Sequence, residues 1–99
     1  MNNNLKEITI VLIAYKSAIK IKRFVKNIPS SVKILIIDNS KDHNLKKIFK
    51  NKKNVKIYFK KNEGYGSSIN YASKIIKTKY FLVVQPDVIG IKKTSLLSF

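Results

Sequence analysis

Four short apolar runs, separated by segments with helical spacing, set the rhythm of this 99-residue chain. Residues 8–14 are apolar except for Thr9, the pattern of a strand covered on both faces of a parallel sheet. Residues 32–37 repeat it with a single lysine. The third run differs: Val55, Ile57 and Phe59 alternate with Lys56, Tyr58 and Lys60, which predicts a strand at a sheet edge. Residues 80–84 are again wholly apolar. Between the runs, Ile21, Phe24, Val25 and Ile28 recur at i, i+3, i+4 and i+7, with Ser17 placed to cap this helix and Pro29 to end it. Leu45, Ile48 and Phe49 mark a second helix, capped by Asp42 or Asn44. A third, over 67–77, puts Ile69, Ala72, Ile75 and Ile76 on one face. The order β-α-β-α-β-α-β predicts an α/β fold with a parallel sheet and right-handed crossovers. After Asp87 the pattern reads as a loop and a further helix from Thr94, with Leu96, Leu97 and Phe99 apolar.

In an open parallel sheet, ligands bind beyond the carboxyl ends of the strands. Tyr15 follows the first strand, Asp38 ends the second, Asn62 follows the third and Asp87 the fourth. The chain has only five acids, and two of them stand at these ends. Between the third strand and third helix, residues 62–70 carry Gly64 and Gly66, and closely spaced glycines at a strand-to-helix turn let backbone approach a phosphate-bearing ligand. The same two residues also suit an ordinary turn, with Ser67 or Ser68 as the helix cap. Asp38 has two readings: acceptor for a base N–H or ribose hydroxyl, or partner of Ser40 in an Asx turn. Asp87 is either a hard oxygen ligand for Mg²⁺ or Mn²⁺ or part of a Pro-Asp turn. Asn70 lies one turn into the helix, as a ligand contact or a solvated residue. No Gly-rich fingerprint follows the first strand and no P-loop lysine motif is present, which excludes the common dinucleotide and P-loop classes. Ala14 and Tyr15 stand where a phospho-receiver domain needs an acidic pair.

Composition changes this picture little. The net charge of +16 invites nucleic acid or anionic lipid as a partner. Yet 20 of the 21 basic residues are lysine, whereas nucleic-acid sites lean on arginine for bidentate contacts. Lysine, isoleucine and asparagine supply 46 residues, a bias spread over the whole chain, and nucleic acid is therefore disfavoured. The absence of cysteine fits a reducing compartment. Met1-Asn2-Asn3-Asn4 lacks the basic and apolar regions of a signal peptide, and no apolar run approaches the ~20 residues of a membrane span. A cytoplasmic location is expected, with lysine-rich faces able to hold the protein at the inner face of an anionic membrane.

The pattern resembles the family 2 glycosyltransferases of GT-A fold. The likeness runs through Ile8-Thr9-Ile10-Val11-Leu12-Ile13-Ala14-Tyr15-Lys16-Ser17, similar to the family's first strand and Thr-Tyr-Asn-Ser turn, and through Ile36-Ile37-Asp38-Asn39-Ser40. Asn62-Glu63-Gly64-Tyr65-Gly66 with Asn70 looks like the Asn-x-Gly-x-Gly-x-x-x-Asn element. Gln85-Pro86-Asp87-Val88 is similar to the Asn-Pro-Asp-Val form of rhamnosyltransferase-like members, at the position of the metal-binding Asp-x-Asp motif.

This resemblance implies a Rossmann-like sheet of order 3-2-1-4 and a nucleotide-diphosphate sugar donor, UDP- or dTDP-linked. Its site would comprise Ala14, Tyr15, Asp38, Asn62, Gly64, Gly66, Asn70 and Gln85, with Mg²⁺ or Mn²⁺ on Asp87. Tyr15 would pack near the nucleobase, Asp38 would bind base or ribose, and the glycines with Asn70 would wall the sugar nucleotide. A glycan or lipid-linked acceptor and a place in cell-envelope polysaccharide synthesis are implied too. Residues 1–99 then read as the donor-binding half of a truncated domain, inactive alone, with the acceptor half and the catalytic base beyond Phe99. Lys16 departs from the family's asparagine, Gln85 from its Asp or Asn, and the turn at Asp38 is one residue short. The competing reading is a basic α/β module that binds nucleic acid without catalysis, and strand-end acids argue against it by repelling phosphates.

Overall fold

The computed structural model describes residues 7–41 and 43–85. In chain order it contains β1 (Ile8–Ala14), α1 (Ala18–Lys26), β2 (Lys33–Asp38), α2 (His43–Ile48), β3 (Val55–Phe59), α3 (Tyr65–Ile75) and β4 (Tyr80–Val83). All three strand pairings are parallel and the order is β3-β2-β1-β4, as the patterning and the family resemblance predict. The expected cap Asp42, the side chain of His43, the Pro86-Asp87 turn and the helix expected from Thr94 lie outside the described residues.

Strand parity sorts the core into two layers. Ile10, Leu12 and Ala14 of β1 and Ile34 and Ile36 of β2 pack with Ile21, Phe24, Val25 and Ile28 and with Leu45 and Phe49. On the other face, Val11, Leu35 and Ile37 pack with Ala72, flanked by Tyr71, Ile75 and Ile76. β1 and β2 are thus covered on both sides, which is why their sequences are almost continuously apolar. Among the described strands β3 pairs only with β2. Its Lys56 and Phe59 are exposed, Val55 is buried, and Ile57 and Tyr58 are half-buried, so the expected alternation holds only in its first half.

Helix α1 shows what holds such an element. Ser17 occupies the N-cap position but makes no capping bond; its Oγ accepts the Tyr15 N–H at 3.3 Å instead. A cap contributes about 1 kcal/mol. Burying Ile21, Phe24 and Val25 contributes roughly 2 kcal/mol each, so packing decides. The helix ends at Lys26, ahead of Pro29, with the Asn27 N–H on the Phe24 carbonyl.

One expectation needs correction. The third helix begins at Tyr65, two residues before 67, so neither Ser67 nor Ser68 caps it; Gly64 is its N-cap. Its inward face is consequently Ser68 and Ala72, with Ile75 beside them, and Ile69 is only half-buried. β4 stands at the edge of the described sheet opposite β3, and its Tyr80 and Phe81 are exposed.

The turns leaving β1 and β2 each contain a left-handed lysine, Lys16 at φ 52° and Lys41 at φ 55°. That conformation costs an L-residue with a long side chain about 1–2 kcal/mol, and asparagine tolerates it better. Lys16→Asn is therefore expected to raise stability by about 0.5 kcal/mol. Urea unfolding followed by circular dichroism measures it, and a loss of stability would show that the Lys16 ammonium, 5.5 Å above the Tyr15 ring, outweighs the backbone effect.

Candidate functional site

Three strands end level. Ala14 is opposite Asp38 and Asp38 is opposite Phe59, so the turns after β1, β2 and β3 emerge side by side. Backbone bonds carry the ladder past the strand ends: Asn39 N–H to the Ala14 carbonyl at 2.8 Å and Lys60 N–H to the Asp38 carbonyl at 3.0 Å. Tyr15, Asp38 and the 62–66 loop therefore share one edge.

Asp38 is 4% exposed. Its Oδ1 accepts the Ser40 N–H at 2.9 Å and the Ser40 hydroxyl at 3.0 Å, which is the Asx turn that the sequence allows. The Ser40 Oγ in turn accepts the Lys16 N–H at 3.0 Å. One hydroxyl thus joins the first turn to the second and fixes the carboxylate's orientation. Tyr15 is 55% exposed, with the Lys16 ammonium over its ring.

Beneath these residues lies a buried polar contact that sequence reasoning missed. The Asn39 amide donates to the Lys60 carbonyl at 2.8 Å and to Ser68 Oγ at 2.9 Å, while the Ser68 hydroxyl donates back to Asn39 Oδ1 at 3.1 Å. Asn39 is 8% exposed and Ser68 fully buried. The signal was present: Ser68, Ala72 and Ile75 fall at i, i+4 and i+7, a serine on the apolar stripe of a helix. Such a residue needs an internal partner.

The loop before α3 is built on Gly64, whose φ of 104° and ψ of 156° belong to a region that essentially only glycine occupies. Asn62 Oδ1 accepts the Gly64 N–H at 3.4 Å, a long bond that supports the bend. The first turn of α3, like that of α1, has no side-chain cap bond. Gly66 is different. A methyl added at either glycine meets nothing within 4 Å, but Gly66 lies inside α3 and lacks the positive φ of Gly64. Lys60 pairs with Glu63 at 2.7 Å, and this hydrogen bond, aided by the attraction of the same ammonium, lowers the Glu63 pKa and keeps it ionised. Gln85 donates to Tyr65 Oη at 3.2 Å and so brings the end of β4 to the start of α3. Asn70 is exposed on α3, and its carbonyl accepts the Ser73 hydroxyl at 2.7 Å.

The structure accordingly gathers Ala14, Tyr15, Asp38, Asn62, Gly64, Gly66 and Gln85 at one end of the sheet, with Asn70 further along α3. Among the described residues, no three acidic or histidine side chains come together as a metal site, and Asp87 is not among those residues. No helix among them is long and apolar enough to cross a membrane.

An open parallel sheet whose strand ends carry the polar residues is the framework of the nucleotide-binding α/β proteins. The sequence matches the profile of glycosyl transferase family 2 over residues 9–89, and the chain belongs to that family. It is, in kind, a glycosyltransferase, an enzyme class that uses a nucleotide-sugar donor and an acceptor. No individual curated protein matches it.

Two predictions follow from this geometry. Ser68→Ala leaves the Asn39 amide without its buried partner and is expected to cost about 1–3 kcal/mol in urea unfolding; a neutral result would mean that water replaces the hydroxyl. Gly64→Ala is expected to cost a similar amount, about 1–3 kcal/mol, through backbone strain. Gly66→Ala, inside the helix and in open space, is expected to leave stability unchanged or raise it by up to about 1 kcal/mol. Equal destabilisation by both glycine variants would refute the distinction.

Proposed function

We propose that this chain supplies the donor side of glycosyl transfer, binding a UDP- or dTDP-sugar at the carboxyl edge of the sheet. The observation that carries the reading is the placement of Asp38: a carboxylate held by Ser40 at the level end of three parallel strands, in a chain of a glycosyltransferase family with only five acids. In this reading Asp38 accepts from the base or ribose, and Tyr15 stacks beside the base. The uncapped start of α3 and the open backbone at Gly66 border the diphosphate and sugar, with Asn62, Asn70 and Gln85 around them.

Asp87 is the residue we assign to Mg²⁺ or Mn²⁺, since a hard carboxylate oxygen suits either cation. When bound, such a cation stabilises the charge that develops on a leaving nucleoside diphosphate. The likeness of Gln85-Pro86-Asp87-Val88 to rhamnosyltransferase-like members favours dTDP-linked deoxysugars among the donors. The acceptor is a glycan or lipid-linked saccharide in this proposal, and no residue of the chain is assigned as the base that deprotonates it.

Calorimetric titration with UDP and dTDP, with and without Mn²⁺, tests the site. Diphosphate binding is expected to need the metal, to weaken about tenfold or more in Asp38→Ala, and to lose its metal dependence in Asp87→Ala. A single-stranded oligonucleotide serves as the control. If it binds while both substitutions and the metal are without effect, and salt abolishes that binding, the chain is a charge-driven polyanion binder and the donor site is refuted.

A further inference from the structure

At the opposite end of the sheet, a cleft of about 260 Å³ opens between the C-terminal end of α3 and the amino-terminal parts of β1, β2 and β3. Lys33, Lys53, Lys56 and Lys77 line it, and no acidic residue does. None of these four lysines is ion-paired among the described residues. Their convergence follows from the fold. Leu35 is opposite Lys56, so Lys33 and Lys56 share one face of the β2–β3 pair with Leu35 and Tyr58. Helix α3 packs against β1 and β2 on that face and stops at Ile75, which leaves β3 to form the other wall.

The segments that carry the remaining two lysines are held in place. Thr78, next to Lys77, shares a 2.6 Å hydrogen bond with Thr9 and donates to the Tyr80 carbonyl at 2.9 Å. Asn54, next to Lys53, donates to the Val32 carbonyl at 2.8 Å. The end of a helix carries roughly half a negative charge, and four ammonium groups outweigh it several-fold. The four cleft lysines are exposed, as are Lys22 and Lys26 on the outer arc of α1; what sets the four apart is that they line one concave surface. A cleft lined by one sign of charge concentrates the field around it. Leu35, Tyr58, Ile75 and Ile76 add apolar surface to the same cleft, which a bare inorganic ion leaves unused.

We propose that this cleft is a second ligand site, independent of the carboxyl edge, for a phosphate monoester on a small apolar or planar body. The ester is either free in solution or the headgroup of a lipid. The cleft is small beside the roughly 300–1,000 Å³ of sites that enclose a drug-sized molecule, so it takes the phosphate end and the first few atoms of the body.

The test uses the full chain, ¹⁵N-labelled, at physiological salt. Phenyl phosphate is expected to shift the amides of residues 33–35, 54–58 and 75–78, and to bind more tightly than inorganic phosphate. The triple variant Lys33→Gln, Lys56→Gln, Lys77→Gln is expected to weaken that binding about tenfold or more. The variant Lys22→Gln, Lys26→Gln, Lys46→Gln, with the same change in net charge, is expected to stay within about twofold, as charges away from the cleft should. Asp38→Ala is expected to leave it unchanged, so a failed donor site does not touch this result. Sedimentation with phosphatidic acid vesicles against phosphatidylcholine vesicles separates the sources: binding that the cleft variant loses identifies the lipid headgroup, and phenyl phosphate binding without it identifies a free ester. Thermal melts of both variants confirm that they fold. Equal weakening in the two triple variants, shifts spread over all lysine-bearing faces, or phenyl phosphate no tighter than inorganic phosphate would overturn the proposal.

Discussion

Asn39 sits where three segments meet, and its hydrogen bonds set how they sit relative to one another. Its backbone N–H extends the β1–β2 ladder to Ala14, and its side chain reaches the Lys60 carbonyl after β3 and the Ser68 hydroxyl inside α3. An amide buried in this way has no water to fall back on, so each bond stabilises one arrangement and penalises the others. The position of Asp38 relative to the Gly64–Gly66 loop is therefore a consequence of Asn39. The turn after β1 joins through Ser40, whose hydroxyl bridges the Lys16 N–H and the Asp38 carboxylate.

The two ends of the same sheet collect different groups of residues. Asp38 and Glu63 stand toward its carboxyl end, one oriented by Ser40 and the other paired with Lys60. The opposite end carries Lys33, Lys53, Lys56 and Lys77 around a cleft. Lys16, Lys41 and Lys60 stand at the carboxyl end too, so what distinguishes the ends is the grouping of residues and not the sign of the charge. Parallel strands make this grouping: every β-to-α turn falls at one end and every α-to-β turn at the other, so residues far apart in sequence collect by end.

Much of the architecture was legible. The continuous apolar runs of β1 and β2 predicted burial on two faces, and the alternation in β3 predicted an edge, because side chains in a strand point alternately to either face. The order of the strands came from the family resemblance, and the structure agrees with it. The start of α3 was misread because Ser67 and Ser68 look like caps. The chain instead uses Gly64, whose positive φ no local propensity signals, and it buries Ser68 for a partner 29 residues away.

Sequence by itself determined the elements, their order, the edge character of β3 and the collection of polar residues at the strand ends. These depend on periodicity and on the handedness of crossovers, which act within a few dozen residues of chain. Tertiary structure decided the rest: that Asp38 is bonded by Ser40, that Asn39 and Ser68 pair, that Gly64 and not Gly66 takes the positive φ, and that four lysines surround one cleft. Each of these joins side chains or backbone through the register of neighbouring strands, and register is set by which faces must be buried together, a property no single segment carries.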